Sequence, residues 1–261
     1  MEMGSDTQLI VVGSEKCINR CGYCYYRYRQ QQDKNTISSE IVKEVMGQFH
    51  HIAVGINPGY SKTDIEIADT ALVMGKELTL TISPDRSTGD ASIPPDIIRG
   101  ASVITLSNCI RPSSKLIDRL NDTTAIRYLS IVDTIDLCDI DEYLSYMSGV
   151  MDDIYGLYVL HRRLDTSTYT TTDGDIERYV DFVVKMDGNT YDIPVVMDEC
   201  ICSIVSGTKH KCGGVWIEIN MRGEVRNCPY SSIPDTVIKD SNQMTIIADT
   251  VPKCRRMEWV Q

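Results

Sequence analysis

The chain is poor in the usual aromatic core residues: 2 Phe and 2 Trp stand among 261 residues, against 14 Tyr. No apolar run reaches the ~18 residues of a membrane span, which excludes a helical transmembrane protein. Met1 to Gln8 has neither a basic stretch nor a long apolar core, so no secretory signal is expected. Basic residues are outnumbered, 26 Lys and Arg against 37 Asp and Glu, for a formal charge of −11. A broad acidic surface repels phosphate backbones, so nucleic acid is not the expected partner. A local basic patch is compatible with this, since Arg20, Arg27 and Arg29 cluster near residue 24. No sequence repeat is visible. No Cys or His lies between Cys24 and His50.

Cysteine, in contrast, is abundant: there are 10. A cysteine-rich chain without an export signal reads as cytoplasmic and metal-binding, not disulfide-bonded. Three of the ten form Cys17-Ile18-Asn19-Arg20-Cys21-Gly22-Tyr23-Cys24, a C-x3-C-x2-C loop directly after the apolar run Leu9-Ile10-Val11-Val12. A loop of that length turns three thiolates toward one point. Three thiolates hold three irons of a [4Fe–4S] cube and leave the fourth open to a small molecule. A zinc knot would need a fourth Cys or His nearby.

The length predicts one or two domains. Short apolar strands alternate with helical patterns: strands at 9–13, 51–56, 78–83, 102–108, 126–132 and 154–161, helices at 38–50, 94–100 and 113–122. The helical stripes expected to face the core are Ile41, Val45 and Phe49, then Ile65, Ala68 and Leu72, opened by a Thr63-x-x-Glu66 capping box. Leu116 and Leu120 follow. Asp139-x-x-Glu142 opens another helix, with Ile140, Tyr143, Leu144 and Met147 aligned. A last helix at 174–186 presents Ile176, Val180, Val183 and Val184. Six βα units predict a parallel sheet with right-handed crossovers, three-quarters of an eight-stranded barrel. The fold class expected is α/β: a partial (β/α)6 TIM-type barrel with a small cysteine-rich β-hairpin extension. Residues 164–174 read as a loop. After Gly188 the alternation is expected to stop, which divides the chain into 1–190 and 191–261.

Five of the cysteines lie from Cys200 onward. Val215 to Val225 reads as a β-hairpin with Gly223 at a positive φ, which brings Cys212 and Cys228 side by side. With Cys254 and either Cys202 or Cys200, these thiolates complete a closed cluster. A structural zinc on the same hairpin is the alternative. Cys109 and Cys138 fall outside both groups, either as buried thiols or as thiols able to donate a hydrogen atom.

The first loop, with Tyr23 before its last cysteine, resembles that of the radical S-adenosylmethionine (radical SAM) enzymes. The segment C-x10-G-x4-C from Cys212 through Gly223 to Cys228 resembles their SPASM or twitch extension. Only Cys254 follows, so the one-cluster twitch form fits the count better. The resemblance implies an open [4Fe–4S] cluster on Cys17, Cys21 and Cys24, which reduces bound SAM to a 5′-deoxyadenosyl radical that removes a substrate hydrogen. It also implies an auxiliary [4Fe–4S] cluster on Cys202, Cys212, Cys228 and Cys254, and an electron donor such as ferredoxin or flavodoxin. The family's Gly-Gly-Glu-Pro, which holds the SAM amino group, is replaced here by Gly55-Ile56-Asn57-Pro58-Gly59. Asn57 would accept one hydrogen bond without supplying charge. Ser107 and Asn108 stand where relatives contact SAM, and Asp133 and His161 close strands that face a barrel mouth. Each of these residues also suits a turn or a structural role. The substrate expected is a peptide or protein, although 16 residues before Cys17 leave no room for a leader-recognition domain. The alternatives are a dehydrogenase of a small alcohol or sugar-like metabolite, and a non-enzymatic metal-binding interaction module.

Overall fold

The computed structural model describes residues 7–19, 37–107, 110–132, 140–160, 177, 180–182, 184, 191, 193–197, 216–227 and 234–240. The strands are β1 (Gln8–Val12), β2 (His51–Ile56), β3 (Glu77–Ile82), β4 (Val103–Ser107), β5 (Ile126–Val132), β6 (Ile154–Leu160), β7 (Val195–Met197), β8 (Trp216–Asn220), β9 (Glu224–Arg226) and β10 (Thr236–Val237). The helices are α1 (Ser39–Gly47), α2 (Lys62–Val73), α3 (Pro95–Gly100), α4 (Ser114–Asn121) and α5 (Ile140–Val150).

All ten strands form one sheet in the order β10-β9-β8-β1-β2-β3-β4-β5-β6-β7. From β8 through β7 every neighbour is parallel. From β1 to β7 spatial order follows chain order, the order that right-handed crossovers give, and α1 to α5 all contribute to one core with one face of the sheet. That face is largely apolar, with Arg127 as a buried exception whose guanidinium donates to the Leu120, Thr123 and Asp152 carbonyls. Leu9 and Val11, Ile52, Val54 and Ile56, and Leu78, Leu80 and Ile82 share one buried core with the helices. The opposite face is polar and half exposed, with Thr79, Thr81, Thr105, Ser107, Tyr128 and Tyr158 along it. Strand alternation creates this contrast, because successive side chains point to opposite faces.

The helices begin where local chemistry allows. Ser38 and Ser113 cap α1 and α4, each accepting a hydrogen bond from the amide three residues on. The capping box expected at Thr63 does not form. The N-cap of α2 is Ser61, which makes no side-chain cap bond, and Thr63 lies inside the helix. Of the stripe expected on α2, Ala68 is buried and Ile65 and Leu72 pack partly buried against the core, while Asp64, Ile67 and Ala71 beside them are buried as well. The stripe of α5 is as read: Ile140, Tyr143, Leu144 and Met147 are all buried.

Two expectations fail around the end of the parallel array. Residues 177, 180–182 and 184 are helical, but Val180 and Val184 are exposed and Phe182 is the buried side chain. Ile176 and Val183, the rest of the expected stripe, lie outside the described residues. The alternation does not stop at residue 188 either, since β7 continues the parallel series beside β6. The three-residue run Val195-Val196-Met197 is too short to stand out by periodicity. The hairpin is present: β8 and β9 pair antiparallel through Glu218↔Arg226 and Ile219↔Val225. Gly223 has φ 75 in its turn, and a Cβ there would lie 2.3 Å from the Ile238 carbonyl oxygen. The hairpin extends the same sheet, because β8 lies parallel against β1.

Candidate active site

β1 ends at Val12, and the chain runs through Gly13–Asn19 into the cysteine loop. The described part of that loop is tied down from four directions. The first tie is Asp64, at the start of α2, whose Oδ1 accepts from the Ser14 amide at 2.9 Å. Asp64 is fully buried and its Oδ2 has no hydrogen-bond partner among the described residues. Burial pushes its pKa up to about 7 against the pull of the Ser14 and Gly13 amides.

The second and third ties come from the ends of β2 and β3. Asn57 Nδ2 donates to the Ser14 carbonyl at 3.2 Å, and the Ile18 amide donates to the Pro58 carbonyl at 3.2 Å. Gly59 holds φ 83, and a Cβ there would lie 2.6 Å from Ile18 Cγ2. The β2 turn is thus shaped to seat the residue after Cys17. Asn19 Nδ2 donates to the Pro84 carbonyl at 2.8 Å and to Ser83 Oγ at 3.3 Å, while its Oδ1 accepts from the Arg86 amide at 2.9 Å. Cys17, between these anchors, is partly buried.

The fourth tie is the hairpin. Arg222, at its tip, donates through Nη1 to Glu15 Oε2 at 2.5 Å and through Nη2 to Glu15 Oε1 at 3.0 Å. Such a bidentate fork fixes orientation as well as distance. Asn220 Nδ2 adds a bond to Glu15 Oε1 at 3.0 Å. Glu224 Oε2 accepts from Arg222, Asn220 and Arg226 at 2.9, 2.7 and 2.8 Å. Arg226 lies 3.5 Å from Glu218 and, at 1% exposure, is among the most buried side chains of the protein. Burial alone would raise the Glu224 pKa, but the hydrogen bonds from Arg222, Arg226 and Asn220 outweigh it and hold the value at about 2. Burial likewise acts to lower the Arg222 pKa and is outweighed by Glu224 and Glu15, so the net shift is upward. The hairpin therefore reaches the cysteine loop through charge, two residues before Cys17.

The remaining expected residues fall as follows. Gly55 lies on the polar face of β2, where a Cβ would meet nothing within 4 Å. Ser107 ends β4 with its hydroxyl 3.5 Å from the Ile82 carbonyl. Gly55, Asn57, Gly59 and Ser107 thus gather with the cysteine loop at the carboxyl ends of β1 to β4. Cys21, Tyr23, Cys24, Asn108, Cys109, Asp133, Cys138, His161, Cys200, Cys202, Cys212, Cys228 and Cys254 lie outside the described residues. The sequence reading missed Asp64, Asn19 and the Glu15–Arg222–Glu224 network. Its one visible signal was the dense polar run Asn220-Met221-Arg222-Gly223-Glu224 inside a buried hairpin.

The donor chemistry of the cysteine loop suits an iron–sulfur cluster. Its three thiolates follow a strand end, and the chain leading to the first of them is pinned beside a polar, partly open sheet face.

No family model matches the chain, and no curated protein matches it in sequence. Among solved structures it is similar to SuiB from Streptococcus suis. The crystal structure of SuiB bound to S-adenosylmethionine matches with a TM-score of 0.57 and 14% identity, over 86% of this chain and 59% of SuiB. A second SuiB structure gives a TM-score of 0.59 and 14% identity, over 86% of this chain and 61% of the other. The chain thus spans about three-fifths of the length of SuiB. What the two proteins share at this identity is a fold: a mostly parallel α/β sheet with its helices, over most of this chain.

Proposed function

We propose that this chain is a radical SAM enzyme that modifies a peptide or protein. Cys17, Cys21 and Cys24 hold an open [4Fe–4S] cluster within a partial (β/α)6 barrel. The observation that carries the reading is the cysteine loop itself, whose first residues are anchored at the carboxyl edge of a sheet with the fold of a protein crystallised with SAM. When bound, the cluster supplies the electron that cleaves SAM to the radical that takes a hydrogen atom from the substrate.

The chain's own residues bind and orient. Asp64, Asn57, Asn19 and Glu15 hold the loop at its cysteine end. Gly55 leaves room on the polar face, and Ser107, with Asn108 and Asp133, offers polar contacts to SAM. The Thr, Ser and Tyr side chains of that face are hydrogen-bonding groups suited to a polar substrate. The segment from 191 onward holds an auxiliary [4Fe–4S] cluster through Cys202, Cys212, Cys228 and Cys254, and a ferredoxin or flavodoxin supplies electrons.

The test is anaerobic reconstitution with iron and sulfide, followed by dithionite and SAM. The expected result is 5′-deoxyadenosine and methionine, with about eight irons per chain and roughly half of them left after Cys17, Cys21 and Cys24 are changed to Ala. Cleavage that survives the triple substitution overturns the assignment. Zinc in place of the remaining iron makes the C-terminal site structural.

A further inference from the structure

We propose that His50, His51 and Glu77 bind a divalent transition-metal cation on the edge of the sheet opposite the cysteine loop. His51 opens β2 and Glu77 opens β3, whereas the cysteine loop leaves the carboxyl end of β1. Because β1, β2 and β3 are parallel, the two sites sit at opposite strand ends, roughly 17–20 Å apart for strands of this length.

The three side chains each offer one ligand atom, and these atoms all lie within 4.8 Å of one another. His51 Nδ1 is 2.8 Å from Glu77 Oε2, and His50 Nε2 is 3.5 Å from Glu77 Oε1. Each carboxylate oxygen thus faces one imidazole nitrogen. A metal with bonds of about 2.0–2.1 Å in tetrahedral arrangement separates its ligand atoms by about 3.3 Å, and the two imidazole–carboxylate distances lie on either side of that value, each to a different oxygen of Glu77. The two rings meet edge to face, with centroids 4.9 Å apart and planes inclined by 71°. Consecutive residues therefore present nitrogens from different directions.

The backbone holds the arrangement in place. His51 and Glu77 are register partners across β2 and β3. The Glu77 amide donates to the His50 carbonyl at 3.1 Å, and Lys76 Nζ donates to the Gly47 carbonyl at 3.1 Å, which ties the end of α1 to the start of β3. A site whose ligands are positioned by a sheet and its hydrogen bonds loses little entropy when a cation enters. The donor set decides the class of cation. Two imidazoles and one carboxylate suit zinc, nickel, cobalt or copper(II), not magnesium or calcium, which take oxygen. The side chains are 31–60% exposed, so the cation enters from solvent and water completes its shell. Bound there, the cation links the end of α1, the start of β2 and the start of β3.

Nickel(II) is the probe of choice, because thiolates compete for it less than for zinc or copper(I). Equilibrium dialysis of the full chain against nickel, with elemental analysis, is compared for the wild type, Glu77→Gln and His51→Ala. The wild type is expected to hold one more nickel per chain than either variant, with the dissociation constant of that site at least tenfold weaker in each. X-ray absorption of that nickel should show imidazole nitrogen and oxygen without sulfur. His50→Gln, at an exposed ring, leaves the fold intact and should give the same loss if the other variants unfold. Equal nickel content in wild type and variants, or sulfur around the nickel that distinguishes them, overturns the proposal.

Discussion

The helix-covered face of β1–β6 and the β8–β9 hairpin belong to one sheet and share one apolar core through Ile217, Ile219 and Val225, yet the hairpin adds a buried ionic network to it. The first is a mainly apolar layer, with Leu9, Ile52, Leu78, Leu80, Ile82 and Ile104 at 0% exposure and Arg127 of β5 as its buried charge. The second buries Glu218, Asn220, Glu224 and Arg226 at 0, 2, 6 and 1%. Apolar burial is non-directional and tolerates sliding. A buried ionic network is stable only when each charge meets its partner in one arrangement. The difference assigns roles: the apolar layer supplies stability, and the network fixes where the hairpin sits against the cysteine loop.

The largest expected effect breaks the charged side. Arg226→Ala removes the buried guanidinium beside Glu218 and leaves Glu224 with Arg222 as its cation, and should cost about 3–5 kcal/mol in chemical denaturation. Adding Glu218→Met should recover part of that loss, whereas a network that contributes nothing would show no loss to recover. The matching break on the apolar side is Leu80→Ala, expected to cost about 2–5 kcal/mol through lost transfer energy and a cavity. Unlike Arg226→Ala, it should leave the geometry of the Glu15–Arg222 contact unchanged, which a crystal structure of the variant would check.

The two carboxylates sharpen the comparison through pH. Asp64 has its folded pKa raised from 3.8 to about 7, so its contribution is full below about pH 4 and is lost as pH rises through 7. Asp64→Asn keeps an acceptor for the Ser14 amide and should remove that loss, on the order of 2–4 kcal/mol, from stability measured between pH 4 and 8. Glu224 has the opposite sign. Its pKa is held at about 2, below the ordinary 4.5, so its contribution is present above about pH 4.5 and lost as pH falls through 2. A Glu224→Gln variant should therefore lose the acid-side slope and leave the Asp64 slope intact. The smallest effect is expected from Gly59→Ala, about 1–2 kcal/mol for a left-handed backbone that also presses on Ile18. If thermal melting of Gly59→Ala matches the wild type, the β2 turn does not constrain the cysteine loop.

Much of the parallel array was readable because its periodicity is strong. His51–Ile56 and Ile126–Val132 match the expected strands residue for residue, and the buried stripe of α5 does too. The errors have physical causes. Thr63 lost its capping role because Asp64 had to face Gly13 and Ser14, a contact 50 residues away in the chain. Val180 and Val184 obey a helical period but face solvent, and Phe182 between them is buried, a choice of face that depends on the packing of the segment and not on its period. The short β7 carries no period long enough to detect. At the candidate site, Cys17, Gly55, Asn57, Gly59 and Ser107 were readable as residues, but their relations were not.

The amino-acid sequence by itself determined the alternation of strands and helices, the apolar face that the helices cover, and the thiolate spacing after β1. These are local properties, written within a few residues of one another. Only the tertiary structure decided that β8 would lie parallel beside β1, that Arg222 would grip Glu15 across 207 residues of chain, and that Asp64 would be buried with a raised pKa. Those outcomes depend on which charges meet when distant segments pack, and charge pairing at contact has no period for a sequence to display.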